Sequence, residues 1–340
     1  MTSHEPRSDA GAADTRARVF GRRRRGGGDG TREEPMVPRA EFRSYYGRPV
    51  LKPPVWEWKV PAYLFTGGLA AGTSLLAAGA DLTGRPALRR VGRTGSLAAL
   101  LASVYLLVAD LGRPARFHHM LRVAKPTSPM SVGTWILSAF GPGAGIAAAA
   151  EVLPAGLRRR LPGRLVGAVA RPAGLVSAAV APAVASYTAV LLSQTAVPAW
   201  HEAHPQLPFV FTGSAAASSG GFAMVLVPVE EAGPARTLAV LGAATELVAS
   251  KVLEKRLGLT AEAYTTGKAH RLRKWSERLT VAGLVGALAG HRSRAISVAA
   301  GAALFAGSAL QRFGVFEAGV ESTKDPKYVV VPQRERADRA

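Results

Sequence analysis

Few residues in this chain are of a type and position to do chemistry. Asp110 closes an apolar stretch in Val108-Ala109-Asp110-Leu111-Gly112-Arg113-Pro114, and Glu246 falls near the middle of another. A carboxylate in apolar helical surroundings must be protonated, paired or wetted, so both are candidates for handling protons. The plain alternative for Asp110 is an ion pair with Arg113 or Arg116. For Glu246 it is simple pairing, with Lys251 and Glu254 a turn or more further on. Tyr63 and Tyr187 each offer a phenol to a carbonyl oxygen while keeping an apolar body, although tyrosines near helix ends also serve as interface anchors. Trp56, Trp58, Trp135 and Trp200 read mainly as an aromatic belt toward one face.

The histidines limit the redox chemistry. His118, His119, His201, His204 and His270 fall in expected loops, His4 lies in the N-terminal segment, and His291 sits in the last expected hairpin. None stands deep in a secure span, where an axial haem ligand would have to be. In His201-Glu202-Ala203-His204 the histidines are three apart rather than four, and Pro205 breaks the helix at once, so a zinc-protease site is excluded. There is no cysteine, which removes disulfides, thiolate zinc sites and thiolate-held iron–sulfur clusters together. Any electron this protein handles must therefore arrive on a partner or on a diffusible carrier. No phosphate-binding glycine loop and no nucleophile elbow is present.

The elements that must position these groups are apolar helices. Ala, Gly, Leu and Val dominate from about Trp56 onward, only 19% of the 340 residues are charged, and the mean hydropathy is +0.12. A spanning helix needs about 20 mostly apolar residues with its backbone paired internally. Expected spans are 57–80, 93–111, 133–153, 172–193, 207–229, 236–256, 277–290 and 295–312, the last two forming either a tight hairpin or one element counted twice. The fold class is thus an all-α integral membrane bundle of about eight helices. Residues 1–43 are expected to be a disordered basic tail, 44–320 the membrane domain and 321–340 a polar tail. Arg22 to Arg25 are followed by Gly26-Gly27-Gly28-Asp29 rather than an apolar region, so they do not form an export signal. The net charge of +20 fits loops and tails of a membrane protein better than nucleic-acid binding. With eight spans both termini share a face, and about 14 Lys and Arg there against about 10 opposite place them on the cytoplasmic side.

Several stretches taken in order resemble the NrfD/PsrC family, the membrane subunits of polysulfide reductase-like and related molybdoenzyme complexes. They are Trp58-Lys59-Val60-Pro61-Ala62-Tyr63-Leu64-Phe65-Thr66-Gly67-Gly68-Leu69-Ala70-Ala71-Gly72, Asp110-Leu111-Gly112-Arg113-Pro114-Ala115-Arg116-Phe117, Ser128-Pro129-Met130-Ser131-Val132-Gly133-Thr134-Trp135, Tyr187-Thr188-Ala189-Val190-Leu191-Leu192 and Val197-Pro198-Ala199-Trp200. The likeness runs from about Tyr45 to Pro326. It departs at Ala189, where the family usually has glycine.

The resemblance implies a cofactor-free membrane anchor that exchanges electrons between a docked ferredoxin-like iron–sulfur chain and a quinone, menaquinone or ubiquinone. A molybdopterin catalytic chain of formate dehydrogenase-like or polysulfide or thiosulfate reductase-like type would complete the complex. It implies quinone contacts at Tyr63, Asp110, Tyr187 and Trp58. Proton transfer falls to Asp110, with His118 or His119 as a surface relay, and partner docking to Arg113, Arg116, Trp135 and Trp200; Glu246 remains a proton-transfer candidate on its position in the span alone. Two other readings stay open: a proton-coupled secondary transporter, which internal repeats would favour, and a structural anchor without a quinone site.

Overall fold

The structure, a computed structural model, describes residues 49–290 and 292–337. The expected basic tail, with His4 and Arg22 to Arg25, and His291 lie outside the described residues. Among these residues there is no strand, and eight long helices follow one another: α1 (Lys59–Leu82), α2 (Pro86–Asp110), α3 (Pro129–Val152), α4 (Leu161–Ser193), α5 (Leu207–Leu226), α6 (Gly233–Arg256), α7 (Gly267–Ala289) and α8 (Arg294–Ser322). A shorter helix, α9 (Lys327–Ala337), lies within the stretch expected to be a polar tail.

Each long helix overlaps one expected span, yet only six, α1 to α5 and α8, are both long and apolar enough to cross a membrane. α6, over the expected span 236–256, and α7, over 277–290, are not among them. The reason is visible in the packing. Charged residues stand on both helices and pair across them, Arg273 with Glu254 at 2.7 Å and Lys251 with Glu277 at 2.9 Å, and these charges lower the mean hydropathy of α6 and α7. The last two expected spans are separate helices. α7 begins at Gly267, so His270 is helical rather than in a loop, and α8 continues to Ser322, well past the expected end at 312.

Two rings of four helices result. α1 packs on α2 and α4 while α3 packs on the same two; α5 packs on α6 and α8 while α7 packs on that pair. The rings meet where α1 touches α5 and α8 and where α4 touches α5. Small residues make such approaches possible where water supplies no driving force between helices. The short connection after α1 turns at Gly84, whose φ of +67° is a conformation that a side chain would disfavour. Pro86 then opens α2, and the Glu231 carboxylate accepts the backbone N–H of Ala87 and Leu88 at 2.8 and 3.1 Å, closing two of the donors a helix start leaves open.

The connections after α1, α3, α5 and α7 share one end of the bundle. The connections after α2, α4 and α6, together with α9, share the other, called here the terminal face. At the opposite end Arg93 joins Asp81 at 3.2 Å and Glu151 at 3.0 Å, Arg89 joins Glu151 at 2.8 Å, and Arg171 reaches Asp81 at 3.6 Å. That network ties α1, α2, α3 and α4 together and pairs the buried charges of Asp81, Arg93 and Glu151.

Candidate functional site

Tyr63 on α1 and Tyr187 on α4 come together because α1 and α4 are neighbours in the first ring. Both rings are buried, and the two phenols are electrostatic neighbours. Tyr63 packs within the apolar cluster that holds Val60, Leu64, Leu106, Ala189 and Leu192. Tyr187 lies against the first turns of α3, where Gly133 is required: a Cβ there would fall 1.8 Å from the Tyr187 Cζ. Among the described residues neither phenol oxygen has a hydrogen-bond partner, yet neither is among the sealed, unpartnered atoms. Each therefore keeps a little accessible surface and an unused donor. Two such donors beside apolar walls fit a ligand that carries carbonyl oxygens on an apolar body.

Asp110 ends α2 half-buried on the terminal side. Lys59, one turn before Tyr63 on α1, donates to the carbonyl of Ala109 at 3.3 Å, so a cation that sequence reasoning passed over borders the carboxylate's own backbone. The only signal for it was its place four residues ahead of Tyr63. His118 and His119 stand exposed in the short 3-10 helix Pro114–Leu121, their rings 4.4 Å apart and perpendicular. Partial desolvation, with Arg122, His118 and Arg116 around it, holds His119 below the ordinary imidazole value of 6.5. Arg113 and Arg116 are exposed on the same connection. Trp58, 60% exposed, and Trp135, 44% exposed, project outward from the starts of α1 and α3.

Trp200 does not belong with them. It is fully buried, stacks on Trp56 with centroids 5.7 Å apart, and donates its indole N–H to the carbonyl of Val315 at 2.8 Å. A docked chain would not meet it; it plugs the end of the bundle between the short helix Pro198–His201 and α8. Its burial follows from Gly319, where a Cβ would lie 1.9 Å from the indole. Tyr264 completes this plug by donating to the carbonyl of Ala199 at 2.8 Å, and burial pushes its phenol well above the usual range.

Glu246 is not brought to the phenols. It lies in the second ring with Arg312, Ser214, Thr280 and Arg273 around it. The expected span 295–312 would end at Arg312; instead this residue stands ten residues before the end of α8 and is buried. The apolar run Val315-Phe316 beyond it was the signal that the helix continued. On the terminal face a hollow of about 610 Å³ opens beside His201, Glu202, His204, Tyr328 and Arg336. Among the described residues no group of three or more potential metal ligands occurs.

No curated protein matches the chain. A family model described as "Polysulphide reductase, NrfD" matches residues 50–236, more than half of the sequence. This covers the first ring, α5 and the opening of α6, and so includes Tyr63, Asp110, Gly133 and Tyr187 but not Glu246 or Arg312. With a helical bundle that has six helices able to cross a membrane, this multi-pass membrane protein belongs to the polysulphide reductase NrfD family.

Proposed function

We propose that the chain is the quinone-reactive membrane subunit of an oxidoreductase complex, exchanging electrons between a docked iron–sulfur chain and menaquinone or ubiquinone. The observation that supports this best is the pair of phenols, buried in body and unpartnered at oxygen, within the part of the chain that matches the family. Reduction of a quinone adds two electrons, which must come from the partner, and one proton to each carbonyl oxygen. The developing charge on those oxygens sits in a low-dielectric slot, where two phenol donors stabilise it far better than they would in water. Asp110, half-buried beside the slot, is the group to exchange protons with the terminal face. His119, held below its ordinary value by partial desolvation and then by neighbouring cations, is the surface group to relay those protons. Trp58, Trp135, Arg113 and Arg116 form the exposed rim for the iron–sulfur chain, and a molybdopterin chain lies beyond it.

The test is substitution. Tyr187→Phe and Asp110→Asn should leave assembly of the complex intact while quinone-linked turnover falls, for Asp110→Asn on the order of 10²-fold. Unchanged turnover in both would leave only a structural anchor. The cytoplasmic placement of the terminal face is tested separately by a reporter after Ala340, whose activity on the external side alone would reverse it.

The repeated pairing order of the two rings favours one second reading, a secondary transporter, since transporters are commonly built from repeats. A quinone analogue that binds wild-type protein and not Tyr187→Phe distinguishes the two.

A further inference from the structure

We propose that the cleft between α6, α7 and α8 is a water-filled path, open only toward the terminal face, that carries protons to Glu246 and ends there. The proposal is independent of the quinone reading, and the carboxylate and guanidinium at its end lie beyond the residues that match the family.

The cleft has a volume of about 230 Å³ and is lined by Glu246, Ser250, Glu254, Arg273, Glu277 and Gln311 among others. Its outer end lies at His270 and Lys274, in the first turns of α7 beside the terminal face. Glu246 stands ten residues before the end of α6, about 15 Å down the helix, which is close to half the thickness of a bilayer core of roughly 30 Å. At that depth Glu246 Oε2, Ser214 Oγ, Thr280 Oγ1, and Arg312 Nε and Nη1 are sealed and outside strict hydrogen-bond geometry, although the Ser214 and Thr280 hydroxyls face the carboxylate. Donors, an acceptor and hydroxyls that can be either are gathered from four helices. Polar groups so placed are costly unless something satisfies them.

Water suits this set best. It both donates and accepts, and Glu246, the residue of this set that lines the cleft, brings the set to its inner end. A bound cation would face Arg312 and Arg273, and a bound anion would face Glu246, Glu254 and Glu277. The charged groups nearer the mouth already neutralise each other, Arg273 with Glu254 and Lys251 with both Glu254 and Glu277, leaving the Glu246–Arg312 pair as the polar end.

Beyond Glu246 the bundle closes. A Cβ on Gly213 would lie 2.6 Å from the Glu246 backbone nitrogen, and one on Gly221 would lie 2.6 Å from the carbonyl oxygen of Gly301. Ala217, Ala235, Ala239, Ala243 and Leu304 fill that region without exposed surface. Helix backbones in such contact leave no room for a file of water, so the path has one mouth.

The step is a proton transfer. A hydronium at the mouth gives up a proton along the water file, an O–H bond forms at Glu246 Oε2, and one O–H bond of the adjacent donor breaks. The carboxylate charge is then gone, and Arg312 loses its counter-charge. Arg312 also donates to the carbonyl of Phe211 at 2.6 Å, lies over that ring at 3.7 Å, and abuts α1 at Gly68, where a Cβ would be 3.3 Å from its Nη2. The protonation of Glu246 is thereby felt where the two rings meet, from Arg312 on α8, Arg273, Thr280 and Glu277 on α7, Ser214 on α5 and Lys251 and Glu254 on α6.

The absence of cysteine makes the test direct. Single cysteines at Ser250→Cys and Gln311→Cys, both lining the cleft, and at Ser297→Cys beyond the closed region, are placed in protein reconstituted in vesicles and exposed to a small, membrane-impermeant methanethiosulfonate from each side. Labelling of Ser250→Cys and Gln311→Cys from the terminal side only, with Ser297→Cys unlabelled from either side, is the expected result. Labelling from the opposite side, or no labelling of the two cleft positions, overturns the proposal. Infrared difference spectra across a pH titration give a second reading that needs no reagent in the cleft. A carboxylic acid band that shifts in heavy water and vanishes in Glu246→Gln is expected, and a band unchanged in that variant refutes Glu246 as the end group.

Discussion

Gly133→Ala is the sharpest available probe of the phenol site, because it moves one phenol without touching it. The new methyl would lie 1.8 Å from the Tyr187 Cζ where ordinary contact begins at 3.4 Å, so the ring must retreat by about 1.6 Å. Overpacking of this kind costs about 1–3 kcal/mol of stability. Losing the phenol's hydrogen bond to a bound carbonyl costs a further 0.5–1.5 kcal/mol or so of binding, which is roughly a 2- to 13-fold rise in Kd. Turnover is more sensitive, since a displacement of about 1 Å in a positioning group can lower it on the order of 10²-fold. The assay is titration of a naphthoquinone analogue into solubilised protein, followed by quenching of tryptophan fluorescence, for wild type, Gly133→Ala, Tyr187→Phe and the double variant. Gly133→Ala should weaken binding in the wild-type background and add nothing in the Tyr187→Phe background. Equal weakening in both backgrounds, or none in either, would refute the assignment of Tyr187 as a ligand contact.

Trp200→Phe should lower the unfolding midpoint by the equivalent of about 1–3 kcal/mol, through the lost bond to Val315 and altered stacking, while folded protein still assembles with its partner; loss of assembly at full stability would restore a docking role. Arg93→Ala should cost about 1–3 kcal/mol through the loss of its buried charge-assisted bonds to Asp81 and Glu151, which keep Arg89, whereas the exposed Arg171→Ala should cost less than about 1 kcal/mol, and thermal unfolding of the two variants compares them. The hydrogen bond to Glu262 raises Lys327 above the ordinary lysine value of 10.5. Its hold on α9 is therefore complete below that value and is lost as pH rises through the raised one. A spin label at Gln333→Cys should gain mobility only in that alkaline range, and at every pH in Lys327→Gln.

Much of the architecture was legible because a bilayer imposes a one-dimensional rule. Every helix in it must be long and apolar enough to satisfy its own backbone, so the positions of α1 to α8 could be read along the chain. The rule failed at α6 and α7, where charges that pair across helices lowered a hydropathy that counts them as isolated. It also placed Arg312 at a helix end, since a charge was taken to close the span although the apolar run Val315-Phe316 continues past it.

By itself the sequence determined what the protein is unable to do and where its helices lie. A chain without cysteine cannot hold a thiolate-ligated iron–sulfur cluster, whatever its fold. Only the tertiary structure decided which polar groups meet. Tyr63 finds Tyr187 across α1 and α4, Glu246 finds Arg312 across α6 and α8, and Trp200 turns from surface anchor to buried plug against Gly319. These contacts depend on how helices rotate and pack about one another, and that is set by small residues such as Gly133 and Gly319 on the opposing helix, not by any pattern local to the residue they bury.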